Sequence, residues 1–311
     1  MSASVIQRDP GTTADDWAAG RSGSSTPATG RRLEGTGRLV PRLMFSATAL
    51  SSRGPRPDNQ DSGLASPELL AVADGVGGTV GGAAASALAI TSLVEQLPLP
   101  WDGDPEALLR RTVSTANRRL GALCSEVPVL AGMATTLTVM ALSGTGRLVV
   151  AHIGDSRAYL LRGGQLVALT RDDSVVQAML DAGSLSAEQA REHPWRSVLL
   201  AALHGREEDA VNVEASNTRA LPGDRVLLCS DGLWGGTSAG RIHRALSQEP
   251  SAPAAAFRLM QSGKMAPARD DITVIVADVI TAEAADGPTM VVGAAAEPDE
   301  RPERTAVASV S

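Results

Sequence analysis

The chain has 311 residues, 43% of them hydrophobic, with 35 acidic against 28 basic side chains, four histidines and two cysteines. A net charge of −7, with one tyrosine and two phenylalanines to stack on bases, argues against nucleic acid as a partner. Cys124 and Cys229 lack a CxxC spacing and the histidines are scattered, which excludes a disulfide framework and a thiolate zinc site; any catalytic metal has to be held mainly by carboxylate oxygen.

Residues 1–40 are rich in Gly, Ser, Thr and Arg and read as a disordered tail, with no apolar stretch of the secretory kind. Strand patterns follow at Leu43–Ala49 and Leu69–Ala73. Gly75–Val94 is uncharged, but its first half is glycine-rich and its second half alanine-rich, so it reads as a buried helix and no membrane anchor is expected. A helix over Asp104–Ser125 has Asp104 as cap, Pro105 in its first turn, and Leu109, Val113, Ala116, Leu120 and Leu123 on one face. Four strands come next, Thr136–Leu142, Leu148–Ile153, Arg157–Leu161 and Gln165–Leu169, with glycine turns at 144–146 and 163–164 that make hairpins of them. Ser174 caps a helix to Ala182, Ser186 with Gln189 forms a capping box for another, and Ser251 opens a third that stops at Gly263. Strands at Arg225–Cys229 and Ile272–Val279 complete a body spanning residues 41–280. Residues 281–311 carry six acids against two arginines and read as a disordered acidic tail. Hairpin-joined strands with helices in separate blocks predict an α+β sandwich.

Four Asp-Gly pairs occur, and Asp-Gly is an ordinary turn signal. Two differ from the rest because strands run straight into them: Leu-Leu-Ala-Val-Ala into Asp74, and Arg-Val-Leu-Leu-Cys-Ser into Asp231. Asp155 likewise ends a strand, and Asp270-Asp271 stands directly before one. In an antiparallel sheet, strand ends lie beside strand starts, so these positions are expected to converge at one rim. Carboxylates brought so close repel, and a divalent cation is the natural compensation.

The segments Arg56-Pro-Asp-Asn-Gln-Asp61-Ser, Val72-Ala-Asp74-Gly75-Val-Gly77-Gly78, Gly132-Met-Ala-Thr135-Thr136, Gly154-Asp155-Ser156-Arg157, Ser230-Asp231-Gly232-Leu233-Trp234 and Asp270-Asp271-Ile272-Thr273 occur in an order that resembles the metal-dependent 2C-type (PPM) serine/threonine phosphatases, in particular the bacterial branch. The resemblance implies a four-layer α-β-β-α sandwich of two antiparallel sheets flanked by helices. It makes Asp74 the bridge between two Mn²⁺ or Mg²⁺ ions, with the Gly75 carbonyl on one of them and Asp231 and Asp270 completing the pair. Asp155 matches a position that helps hold a third, weaker ion. Arg56 matches the arginine that grips the substrate phosphate, and Asp61 would stand behind the ligands and orient bound water. Asp271 occupies a place where Asn is frequent, and position favours Asp270 as the ligand.

The implied reaction is hydrolysis of phosphoserine or phosphothreonine by direct attack of a metal-bridging hydroxide, with no phosphoenzyme. The implied partners are phosphoproteins made by a bacterial Ser/Thr kinase, met in the cytoplasm by a monomer. Residues 170–204 would form a flap over the cleft, where Asp173 replaces a common histidine; Gly235 stands where an acidic or polar residue is often found. Val76 follows the second motif where some relatives have a histidine, so the proton for the leaving oxygen is expected from water. Competing readings are a dephosphorylator of anti-sigma-factor antagonists, an inactive binding protein of the same fold, and a GDS-type esterase with Ser156 as nucleophile. The last lacks an Asp-x-x-His block near the C-terminus. Lys264 lacks the glycines of a phosphate-binding loop.

Overall fold

The central strands Leu69–Val76, Leu137–Leu142, Leu148–Ile153, Arg225–Cys229 and Ile272–Ala282 are apolar at most positions rather than at every second one. In the computed structural model, which describes residues 6–7, 42–76, 81–96, 104–209, 212–214, 218–266, 270–282 and 287–296, both faces of each sheet are covered. The elements in chain order are β1 (Ile6–Gln7), β2 (Arg42–Ser52), β3 (Asp61–Ala65), β4 (Leu69–Val76), α1 (Gly81–Gln96), α2 (Pro105–Glu126), β5 (Ala134–Thr135), β6 (Leu137–Leu142), β7 (Leu148–Ile153), β8 (Arg157–Arg162), β9 (Gln165–Ala168), α3 (Val175–Asp181), α4 (Ala187–Glu192), β10 (Asn212–Glu214), β11 (Arg225–Cys229), α5 (Asp231–Trp234), α6 (Ala239–Gln248), α7 (Ala252–Lys264), β12 (Ile272–Ala282) and β13 (Met290–Gly293). One sheet has the order β1-β9-β8-β11-β12-β2, the other β10-β7-β6-β4-β3-β13 with β5 beside β4. The described pairings are antiparallel apart from β1 with β9.

Side-chain alternation sorts the strands between three apolar layers. Leu70 and Val72 of β4, Met140 of β6, Val226 and Leu228 of β11 and Ile275 of β12 fill the space between the sheets. The intervening residues, such as Leu69 and Ala71 of β4 and Val139 of β6, pack against α1 and α2. Leu227 of β11 and Val274 and Val276 of β12 pack against α6 and α7. The result is the expected α-β-β-α sandwich, and burial of each large aliphatic side chain contributes about 1.5–3 kcal/mol. α2 begins as its sequence requires: the Asp104 side chain accepts the Glu106 N–H, Pro105 fills the first turn, and Leu109, Val113, Ala116 and Leu120 are buried. α4 has the full capping box of Ser186 and Gln189. Among the described residues no helix is long and apolar enough to cross a membrane.

Several parts differ from the sequence reading. β3 was not expected, because Asp61-Ser-Gly-Leu-Ala has a glycine at its centre and little apolar character; pairing with β4 on one side and β13 on the other makes it a strand. α6 was also not expected, although Ile242, Ala245 and Leu246 share a helical face. The third difference corrects the disordered acidic tail expected over 281–311: β12 continues to Ala282, and Met290–Gly293 returns to pair with Ser62–Ala65. Two valines within a short run suffice once an unpaired sheet edge is available to receive them. Ile6–Gln7 likewise pairs with β9, inside the 1–40 segment expected to be disordered. The rest of that segment, Gly77-Gly78, the Asp102-Gly103 turn, and the tail acids Glu283, Asp286, Glu297, Asp299, Glu300 and Glu303 lie outside the described residues.

Candidate active site

The predicted site residues gather at one end of the sandwich, where strand ends of both sheets meet. This corrects the expected single rim: Asp74 and Asp61 belong to β4 and β3 of one sheet, whereas Asp231 and Asp270 adjoin β11 and β12 of the other. Asp155 lies in the Gly154–Ser156 crossover from β7 to β8, which changes sheet.

Each strand end is pinned by backbone bonds. Asp74 sits opposite Asp61 in the β3–β4 register. Its N–H donates to Thr136 Oγ1 at 3.0 Å, and its carbonyl accepts from Thr136 N at 2.8 Å and Thr135 Oγ1 at 3.0 Å. Gly75 and Gly232 are not in the left-handed region, so neither glycine is there to make a turn. They are there for space: a Cβ on Gly75 would stand 2.1 Å from the Gly82 carbonyl oxygen, and one on Gly232 would stand 2.1 Å from that of Asp271. The two Asp-Gly pairs thus mark close backbone approaches that press α1 onto Asp74 and bring the Asp231 turn against Asp270-Asp271.

The electrostatics are those of an acid cluster. Asp61 is fully buried; its Oδ2 accepts from Ser230 Oγ at 2.6 Å, while its Oδ1 has no hydrogen-bond partner. Burial pushes the Asp61 carboxyl up to about 8, against the opposing hydroxyls of Ser230 and Thr273. Burial and then the charges of Asp61, Asp231, Asp155 and Asp270 hold Asp74 well above the usual carboxylate range. Burial and then Asp231 and Asp172 do the same to Asp155, and burial and then Asp270 push Asp231 up to about 6. Asp74 and Asp231 are only half-buried, so the cluster keeps an opening to solvent. A bound cation would relieve all of these penalties together. The all-oxygen donor set and the unpartnered Asp61 oxygen fit divalent ions of the Mg²⁺ or Mn²⁺ kind. Among the described residues no three acidic, histidine or cysteine side chains form a compact ligand set by themselves. An ion that keeps several waters and takes one or two carboxylates matches that spacing.

The adjacent acids Asp270 and Asp271 differ in employment. Asp271 is buried, and its two oxygens accept the N–H groups of Gly54 at 2.7 Å and Gln60 at 2.8 Å. It therefore fastens the loop that carries Arg56. Asp270 is partly exposed and pairs through both oxygens with the Arg56 guanidinium, which Asp271 also approaches at 3.4 Å. Arg56 is thereby held at the solvent side of the cluster; from the described backbone, Asp270 Oδ1 accepts only the adjacent Asp271 N–H, at 2.8 Å, so Asp270 is the member of the pair that fastens no distant backbone.

The flap expected over 170–204 contains α3 and α4. Asp173 is its anchor: its N–H donates to the Gly154 carbonyl at 2.7 Å and its Oδ2 accepts the Gly154 N–H at 3.0 Å. His193 terminates α4, and its Nδ1 accepts the Trp195 N–H at 3.2 Å. Gly235 closes the Asp231 turn through its own N–H at 2.7 Å. Ser156 is fully buried with its hydroxyl 2.9 Å from Thr136 Oγ1, which removes it as an esterase nucleophile. Ser230, Thr136, Trp234 and Arg157 were missed as supporting residues, although all four lie inside the motifs read from the sequence.

Two sheets packed face to face between helices thus bring aspartates from the strand ends of both sheets to one end of the sandwich. A family model for protein phosphatase 2C matches residues 51–272, and the chain belongs to that family. It is similar to the serine/threonine protein phosphatase PstP of Mycobacterium tuberculosis, 39% identical over 260 residues that cover 83% of this chain and 50% of that one; it thus spans about half the length of that curated relative. It is also similar to the serine/threonine phosphatase stp of Listeria monocytogenes, 32% identical over 214 residues covering 68% of this chain and 84% of the relative. The crystal structure of the PstP catalytic domain in complex with two manganese ions aligns at 39% identity with a TM-score of 0.69, covering 76% of this chain and 99% of that chain.

Proposed function

We propose that the protein is a divalent-metal-dependent phosphoprotein phosphatase that hydrolyses phosphoserine and phosphothreonine. The observation that carries the reading is the gathering of Asp74, which faces Asp61 in the β3–β4 register, with Asp155, Asp231 and Asp270 at one end of the sandwich, beside an arginine at the cluster's solvent side. Family membership and the manganese-bound relative support it.

Asp74 with the Gly75 carbonyl, Asp231 and Asp270 would hold two Mn²⁺ or Mg²⁺ ions, and Asp155 would help hold a weaker third. Bound there, the ions supply a water of lowered pKa as nucleophile and offset phosphoryl charge. Asp61 orients that water through its free oxygen. Arg56 presents a planar fork to the phosphate, in a position fixed by Asp271 through the 54–60 loop. Val76, exposed beside Gly75, offers no proton, so the leaving seryl or threonyl oxygen takes one from water. The flap, anchored by Asp173, sets which phosphoprotein reaches the cluster. Substrates made by a bacterial Ser/Thr kinase, a monomeric state and a cytoplasmic setting complete the reading; two free cysteines are in keeping with a reducing compartment.

The test is hydrolysis of p-nitrophenyl phosphate and of a phosphothreonine peptide with Mn²⁺, with and without EDTA, by the natural chain and Asp74→Ala. Turnover is expected to require Mn²⁺ and to fall at least about 10³-fold in Asp74→Ala. Turnover that survives both EDTA and the substitution overturns the reading.

A further inference from the structure

Trp234 ends α5, three residues after Asp231, and so shares one side of that single turn with it. Its indole Nε1–H reaches into the crossover from β7 to β8 and donates to the Asp155 carbonyl at 2.9 Å. The indole is held in turn: the Arg157 guanidinium lies over the ring at 3.6 Å from its centroid. Arg157 is itself fixed by a two-pronged pair with buried Asp172, Nε to Oδ1 at 2.8 Å and Nη2 to Oδ2 at 2.7 Å. Asp172 immediately precedes Asp173, the flap anchor.

A four-residue turn has little cooperative stability of its own, so its orientation depends on such side-chain ties. The tie joins the backbone of Asp155 to the turn that presents Asp231, and those two carboxylates are electrostatic neighbours. An indole N–H is a fixed donor on a rigid plane, and a stacked guanidinium keeps that plane from rotating.

We propose that Trp234, clamped by Arg157, is a positioning residue that sets the separation of Asp155 from Asp231 and hence the affinity of the weaker divalent-ion site between them. The inference rests on the assignment of Asp155 to such a site. Because the clamp ends at Asp172, the flap base and this ion site are parts of one assembly.

The experiment is calorimetric Mn²⁺ titration of the full chain, with thermal midpoints in EDTA, for Trp234→Phe, Arg157→Lys and Asp155→Asn. Trp234→Phe keeps an aromatic ring under Arg157 and removes the N–H together with the indole's five-membered ring; Arg157→Lys keeps the charge and removes the fork and the stack. Both are expected to keep the natural affinity for the tighter ions and to lose roughly tenfold in the weaker one, the effect usual for partners that orient ligands. Trp234→Phe is also expected to keep the natural thermal midpoint. A weaker site that is absent from the natural chain, or that persists in Asp155→Asn, overturns the Asp155 assignment together with the inference. A weaker site abolished by Asp155→Asn but unchanged in the other two variants overturns the inference alone. Parallel loss of all ions and of the thermal midpoint in Trp234→Phe assigns the residue to packing and overturns it as well.

Discussion

The inter-sheet core and the acidic end of the sandwich are built from the same strands a few residues apart. Val72 of β4 and Leu228 of β11 are fully buried in an apolar layer, and Asp74 and Asp231 follow them by two and three positions. One region gains free energy by excluding water; the other spends it by crowding carboxylates that burial already disfavours. A rigid apolar slab is what allows like charges to be held together: the strands cannot splay without opening the core.

Substitutions can separate the two regions. Asp74→Ala carries the largest expected change, a loss of catalysis without loss of fold. Leu228→Ala should do the reverse, lowering unfolding free energy by about 2–5 kcal/mol in urea titrations while leaving kcat per folded molecule unchanged. Asp270 and Asp271 bring the comparison down to neighbours. Asp271→Asn weakens charge-assisted acceptance of two backbone N–H groups and should cost about 1.5–3 kcal/mol of stability. Asp270→Asn should leave the thermal midpoint in place and weaken Mn²⁺ binding; equal destabilisation by the two would show that both acids are structural.

The smallest expected effect is a slope with pH. Burial pushes the Asp61 carboxyl up to about 8 in the folded chain, against 3.8 for an ordinary aspartate, so folding takes up a proton between those limits. Its contribution to stability is fully present at low pH and is lost as pH rises toward 8. In EDTA, the thermal midpoint of the natural chain should therefore fall more between pH 6 and pH 8 than that of Asp61→Asn. With Mn²⁺ the trend should reverse, because the ionised acids become the bound form.

Much of the fold was legible because burial on both sheet faces writes mostly apolar runs, such as Leu148–Ile153 and Ile272–Val279, while hairpin glycines at 144–146 and 163–164 punctuate the chain. That Asp74, Asp155 and Asp231 would gather was legible because a strand leads straight into each of them. The sheet to which each aspartate belongs was not legible, since nothing local in Gly154–Ser156 announces a crossover between sheets. Asp271 could be told from Asp270 only once the 54–60 loop was seen to donate into it. β3 and β13 were hidden because each is a strand by virtue of the other and of β4, and two weak patterns far apart in the chain carry no local signal.

The return of the C-terminal segment has a practical side. Met290–Gly293 lies along β3, and the Ala295 N–H donates to Ser62 Oγ at 3.1 Å, one residue from Asp61. A chain trimmed at Ala282 would leave the outer edge of β3 with open donors and acceptors, an adhesive margin for a second molecule. Precipitation or self-association of such a trimmed chain, with the full chain staying dispersed, would mark this short strand as a guard against aggregation as well as a cover for the acid behind it.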